Sequence, residues 1–254
     1  MKKYILTENV RGLKGTGTRL YQIKAIRKFG KVKEGQLGGW VSHEDNLSHD
    51  GDAWVFDNAI VYGNARVSGN AKISDGARIY GNARVYEDAH VFGHAEVFDK
   101  AQVFGKARVH GTSKVYSEAS VSGNARVFDG VKICGEAHIY GDVRVFGCAI
   151  VSGNAMVFGD ATIPGDARVY GDAIIESAGE IICVSNVGSE NNTLTAYRTK
   201  SGEIEINKGF FRGTVSEFEE SVMNDPENDH YIQEFLTIIK FIKLRFEKDS
   251  IVTE

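Results

Sequence analysis

The chain has 254 residues, a formal net charge of −4, 29 Gly and only 2 Pro. Its charge is uneven: residues 1–50 carry ten Lys/Arg against five acids, residues 51–176 twelve against fifteen, and residues 177–254 eight against fourteen. That balance does not point to non-specific nucleic-acid binding, and no apolar run reaches the length of a membrane span, which sets both aside as partners.

Met1-Lys2-Lys3 opens like a signal peptide, but the apolar run stops after Leu6. Cys134, Cys148 and Cys183 are odd in number and lack C-x-x-C spacing. They read as reduced thiols of a cytoplasmic protein, in which the sequons at Asn46 and Asn191 carry little meaning.

Residues 1–50 read as an N-terminal β cap. Tyr4-Ile5-Leu6 and the segment from Leu20 to Phe29 predict two strands joined by a Gly12–Gly17 turn. The Gly38-Gly39-Trp40-Val41 segment follows and leads into Asn46-Leu47-Ser48.

Residues 51–176 repeat one six-residue phrase twenty-one times. Every sixth residue from Val55 to Ile175 is Val or Ile, and two positions earlier stands Ala, except at Ser113, Val131 and Val143. So strict a period marks a solenoid. The Ala-x-Val alternation turns both residues to one face. Gly, Asp or Glu stands two residues after each aliphatic position from Asp57 to Gly171, except at Ser117, and supplies corner chemistry. Three such sides close a triangular coil of eighteen residues, so the repeat predicts about seven coils of three hexads. At ~4.8 Å per strand the prism is roughly 34 Å long. Burying each Val contributes about 1.5–3 kcal/mol gross. Each coil is held by its neighbours, so both ends need covers. Trp54, Ile60, Ile150, Met156 and Ile174 stand at outward positions near the ends, and the flanks are expected to cover them.

Residues 177–254 read as a C-terminal α+β module. Ile181 to Val184, Thr193 to Thr199 and Glu203 to Asn207 predict strands, and Thr214-x-x-Glu217 is a capping box opening a short helix. An acidic Asn224–Asp229 loop with Pro226 precedes a longer helix from about His230 to Glu247. Its apolar stripe includes Ile232, Phe235, Leu236, Ile239, Ile242 and Phe246. Phe241 and Leu244 lie on the opposite side and are candidates for a subunit contact.

The Ala-x-Val spacing resembles the hexapeptide-repeat proteins that form a left-handed parallel β-helix. This chain departs from their pattern by placing Gly two residues after the aliphatic position, not one. Left-handedness is implied by the resemblance alone, since the general rule for parallel crossovers favours the right-handed form. Gln22-Ile23-x-Ala25, Gly38-Gly39-Trp40-Val41 and the run into Trp54-Val55 resemble the YdcK-like group of enteric bacteria and prophages, over roughly residues 4–176. Members are often labelled transferases because of the repeat. Gly188-Ser189-Glu190-Asn191 leading into Thr193–Arg198 resembles C-terminal modules of phage-encoded repeat proteins. The resemblance implies a homo-oligomer, with a trimer favoured.

Three kinds of chemistry are weighed on these residues. Acyl transfer in hexapeptide-repeat enzymes uses a His base and a loop expelled from the coils, whereas here twenty-one hexads run without interruption past His90, His94, His110 and His138. Zinc would need three convergent ligands with outer-shell support, and His90, His94 and His110 stand at outward or corner positions. The third possibility is a binding face. Steps of eighteen place Lys72, His90, Arg108, Arg126 and Arg144 in one column, beside a second with Phe92, His110, Phe128 and Phe146. Cations over aromatic rings also have a purely structural reading, as a stiffening ladder.

The expectation is therefore an all-β solenoid, a single-stranded left-handed parallel β-helix with its strand cap and α+β module. It is expected to act as a non-catalytic interaction or scaffold protein, phage- or prophage-borne by resemblance, that binds a host protein or anionic polymer or ligand through its outer face. A hexapeptide-repeat acyltransferase is the alternative. No catalytic residue, metal or cofactor is assigned.

Overall fold

The computed structural model describes residues 1–224 and 231–247. Twenty-one two-residue strands run from Trp54–Val55 to Ile174–Ile175, one every six residues. Every third strand is a parallel neighbour, so partners lie eighteen residues apart, as in His90↔Arg108 and Val91↔Val109. All twenty-one aliphatic residues, and the Ala, Ser or Val two positions before each, have 0% exposure. The narrow interior thus holds one small and one β-branched side chain per side.

The corners explain the Gly and acid positions. Two residues after each aliphatic residue from Asp57 to Gly171 the chain takes a left-handed φ, between 50° and 87°. Glycine meets this without a Cβ penalty. Six corners are not glycine: Asp57, Asp75, Glu87, Asp99, Ser117 and Asp129. The carboxylates of Asp75, Glu87 and Asp99 accept the corner N–H one coil on, from Gly93 at 3.0 Å, Gly105 at 2.8 Å and Ser117 at 3.1 Å. A charge-assisted bond offsets the left-handed strain of an L-residue.

The solenoid begins before the strict period. Leu37–Val41 lies parallel to the first coil, with Trp40 opposite Ile60 and Val41 opposite Val61, and Leu47 bridges Val67. These rungs stand twenty residues from their partners, so two extra residues interrupt the phrase, and the solenoid has about eight turns. Gly38 and Gly39 permit the approach: a Cβ would meet the Val55 carbonyl oxygen at 2.6 Å on the first and the Ala59 carbonyl oxygen at 2.6 Å on the second. The antiparallel hairpin of Tyr4–Gly12 and Arg19–Ala25 continues the same sheet, making it ten-stranded, beside two of seven strands.

Residues 181–214 form a four-stranded antiparallel sheet of Ile181–Val187, Asn192–Arg198, Ile204–Lys208 and Phe211–Thr214. Helices α1 (Val215–Asn224) and α2 (Ile232–Glu247) pack on it. The capping box forms: Thr214 N–H donates to Glu217 Oε2 at 2.7 Å and Glu217 N–H to Thr214 Oγ1 at 3.3 Å. Phe235, Ile239, Ile242 and Phe246 are buried in a second core with Leu194, Ile206 and Phe218. Within the expected acidic loop, Asn224 ends α1, and residues 225–230, including Pro226 and His230, lie outside the described residues. No described helix is long and apolar enough to cross a membrane.

Of the five outward apolar residues near the ends, only Trp54 is fully buried, under Tyr4 and Phe29. Ile60, Ile150, Met156 and Ile174 are half-buried on the outer surface.

Candidate functional site

The three solenoid faces carry the same backbone and different charge. On one face the register stacks Lys72, His90, Arg108, Arg126 and Arg144 in a single column. Lys72, Arg108, Arg126 and Arg144 are exposed. None of the four forms an ion pair with a described residue. The acids at the flanking corners are engaged elsewhere: Asp88 and Asp142 accept from the Asn70 and Asn124 amides at 3.0 and 2.9 Å, and Asp129 accepts from Gly147 N–H at 3.2 Å.

Beside this column runs the expected aromatic one. Phe92, His110, Phe128 and Phe146 stack with centroid spacings of 4.5, 5.3 and 5.4 Å. Arg108 lies 5.6 Å over the Phe92 ring, and His90 leans on the same ring at 4.4 Å. Burial, then the charges of Arg108 and Lys72, hold the His90 imidazole below its ordinary pKa, and burial followed by Arg108 does the same to His110. Both rings are thereby biased toward the neutral form, and the column's fixed charge comes from one Lys and three Arg.

The second face is partly neutralised, with Lys132 left exposed and in no ion pair among the described residues. Glu96 lies 3.5 Å from Arg78 and 3.0 Å from Lys114. An aromatic stack of Tyr62, Tyr80, Phe98 and Tyr116, spaced 5.0, 4.9 and 4.9 Å, runs alongside. Stacked rings are thus a general device of this solenoid, while a column with four unpaired cations distinguishes the first face.

The third face carries Arg66, Arg84, Gln102, Ser120 and His138. His138 is exposed, with Nδ1 2.7 Å from Ser120 Oγ. At its N-terminal end Arg66 borders three clefts, of about 570, 280 and 290 Å³, and Arg84 borders the latter two. Sequence reasoning passed over this pair. Its signal was available: two Arg eighteen residues apart, beside the stretch where the phrase is interrupted.

His94 is exposed at a corner. No group of three or more His, Cys, Asp or Glu side chains is placed to hold a metal among the described residues. Phe241 and Leu244 are 54% and 52% exposed on α2, apart from the solenoid faces. Cys134, Cys148 and Cys183 are free thiols.

Comparison with known proteins agrees with this geometry. The family described as the YdcK Beta solenoid repeat matches residues 77–93. A protein of Escherichia coli (strain K12), named "Uncharacterized acetyltransferase YdcK", is 40% identical over 67 residues. The aligned stretch covers 24% of this chain and 21% of that relative, so the chain spans about a fifth of the relative's length. The matched repeat lies within the regular coils, where the chain is similar to the YdcK β-solenoid repeat, and the register of all three faces shows a parallel β-solenoid.

Proposed function

We propose that the protein is a non-catalytic scaffold that binds an extended anionic partner along the Lys72–Arg144 column. The observation that carries this reading is the row of exposed, unpaired cations in strict register on a rigid surface. From Arg108 to Arg144 successive charges stand ~4.8 Å apart and repel by about 0.9 kcal/mol in water, a cost that an anion spanning them would relieve. The neighbouring Phe and His rings offer flat apolar area, and Arg on aromatic faces is a common recognition surface. The reading includes a cytoplasmic setting, since three thiols are free, and self-association of the chain as a trimer, with Phe241 and Leu244 as contacts. An origin in a phage or prophage, with a host protein as the partner, belongs to the same reading.

Fluorescence anisotropy with labelled polyphosphate or poly-glutamate tests it. Binding should weaken steeply with salt, and Arg126→Glu should lower affinity by about tenfold or more. Equal binding by wild type and Arg126→Glu would overturn the proposal. The second reading, acetyl transfer, is favoured by the printed name of the E. coli relative and by the His138–Ser120 contact. Calorimetric binding of acetyl-CoA that is lost in His138→Gln would replace the first reading with this one.

A further inference from the structure

We propose that Arg66 and Arg84 form a second, independent site, which takes a monosaccharide-sized ligand bearing a phosphate or carboxylate and free hydroxyls. The two Arg occupy adjacent rungs, Arg66 directly opposite Arg84, so their stems lie ~4.8 Å apart. That spacing lets two guanidinium forks converge on one anionic group, the geometry for which Arg is best suited. Both side chains are exposed, and neither forms an ion pair with a described residue.

The surroundings are specific to this end of the face. Clefts lie on both sides of the Arg pair, one toward the corner residues Asn64 and Asn82 and one toward Tyr86 and Gln102. The polar groups there are partly committed in a way that leaves donors outward. Asn64 donates to Asn82 Oδ1 at 3.2 Å, and Tyr86 OH donates to Gln102 Oε1 at 3.1 Å, so the two amide oxygens are used and the Asn82 and Gln102 NH2 groups remain to donate. Asp45 lines the corner-side cleft with both Arg yet forms no ion pair with either. Its neighbour Glu44 is already taken by Lys2 and His49, each at 2.7 Å.

The corner-side cleft thus joins two cationic forks, the Asn82 amide donor and one separate carboxylate, a lining rich in donors with a single strong acceptor. The Gln102 donor lies across the Arg pair. The complementary ligand is an anion that also offers hydroxyl protons to Asp45. A bare inorganic anion would leave Asp45 unpaired, and a neutral sugar would leave both guanidinium groups unpaired. The cleft volumes suit a small ligand and not a polymer. A phosphosugar and a uronic acid share this chemistry.

The experiment is ligand-observed NMR and calorimetry on the full chain with glucose 6-phosphate, glucuronate, glucose and inorganic phosphate. Glucose 6-phosphate or glucuronate should bind in the millimolar range or tighter, with glucose and inorganic phosphate at least about tenfold weaker. Which of the two acids binds better identifies the anionic group. Arg66→Gln and Arg84→Gln should each lower affinity by about tenfold, while Arg126→Glu, on the other face, leaves it unchanged. Unaltered melting temperatures would show that the variants fold. Failure of both acids to bind, binding as tight by glucose or inorganic phosphate, or binding that survives both Gln substitutions would each overturn the inference. The Arg126→Glu arm keeps this outcome separate from that of the polyanion face.

Discussion

The two ends of the solenoid face opposite chemical problems, because a parallel sheet has a direction. Each coil donates its N–H groups to the coil that follows, as Trp54 N–H does to Ala71 O at 3.0 Å and His90 N–H to Ala107 O at 2.9 Å. The N-terminal end is therefore left with carbonyls and the C-terminal end with N–H groups, and buried backbone groups of either kind must be satisfied. The N-terminal cover supplies donors. Asn46, fully buried, gives its amide to Gly63 O and Ala65 O, both at 2.9 Å, and Lys3 Nζ donates to Gly51 O at 2.9 Å. The C-terminal cover supplies acceptors. Thr195 Oγ1 takes Arg168 N–H at 3.1 Å, Tyr197 Oη takes Tyr170 N–H at 2.8 Å, and Glu180 takes the Glu176 and Ser177 N–H groups. The ends cannot be interchanged.

The sharpest way to break this comparison is to exchange amide and acid at each end. Asn46→Asp keeps an oxygen for Ser42 and His43 but replaces the donor to two carbonyls with a buried negative charge. It should cost about 3–5 kcal/mol, the range for an uncompensated buried charge. At the other end Glu180→Gln retains an acceptor oxygen and should cost less than about 1 kcal/mol. Chemical denaturation of the two variants checks both, and equal losses would mean the polarity of the ladder does not decide what caps it.

Tyr197→Phe should come next, at about 1–3 kcal/mol, because it leaves a half-buried N–H of Tyr170 without its acceptor. The same hydroxyl donates to Glu205 Oε1 at 2.6 Å and accepts from Asn207 at 2.7 Å, so the change also loosens the network that Arg212 closes on Glu205. Hydrogen exchange should then speed up in the last coil and leave the first unchanged.

The periodic part of the chain was legible because each coil solves the same problem with neighbours of its own kind. Val or Ile at every sixth position, Ala before it and a corner residue after it all hold in the structure. The capping box at Thr214 and the stripe from Phe235 to Phe246 were legible for a similar reason, since helix signals are local. The ends were not. Asn46 is a single residue whose partners lie 17 and 19 positions away, and its neighbours spell a glycosylation sequon. The rung at Val41 and Leu47 was hidden because two extra residues precede Val55. Strand Phe211–Thr214 carries Arg and Gly in place of an alternating pattern, and pairing with Ile204–Lys208 overrides its weak propensity. Of the candidate sites, the basic column followed from the period alone, while the corner-side Arg66–Arg84 cleft takes His43 and Asp45 from the folded N-terminal cover.

A smaller effect separates the ends by pH. Burial pushes the Lys3 ammonium from 10.5 down to about 8. The unfolded chain then binds more protons between those values, so this group makes stability rise as pH increases from about 8 toward 10.5. Burial, followed by Glu44, pushes the Tyr4 phenol upward, which reverses the trend above its ordinary pKa near 10. At the other end burial acts to raise the Glu205 carboxyl, and the bonds from Arg212 and Tyr197 outweigh it, leaving its pKa below the ordinary value. That contribution is present above the unfolded pKa and is lost as pH falls through the lower folded one. Exchange rates should therefore fall in the first coil between pH 8 and 9, after correction for base catalysis, and rise first in the last coil on acidification. A uniform response at both ends would show that neither group is coupled to its cover.

Between the ends the backbone ladder is complete on both sides, so the outward side chains there are free of a capping role. Arg126 N–H bonds to Val143 O at 2.8 Å, and Arg108 N–H bonds to Ala125 O at 2.9 Å, with no call on either guanidinium. Arg126→Ala should therefore change stability by no more than about 0.5 kcal/mol, as ordinary surface substitutions do. Relief of repulsion from Arg108 and Arg144 acts in the opposite direction to the lost contact of its stem, which keeps the net change small. The same variant should weaken polyphosphate or poly-glutamate binding in the anisotropy assay. These two readouts separate the column's alternatives: binding lost with the melting curve intact assigns it to recognition, and a loss of several kcal/mol with binding unchanged assigns it to holding the coils together.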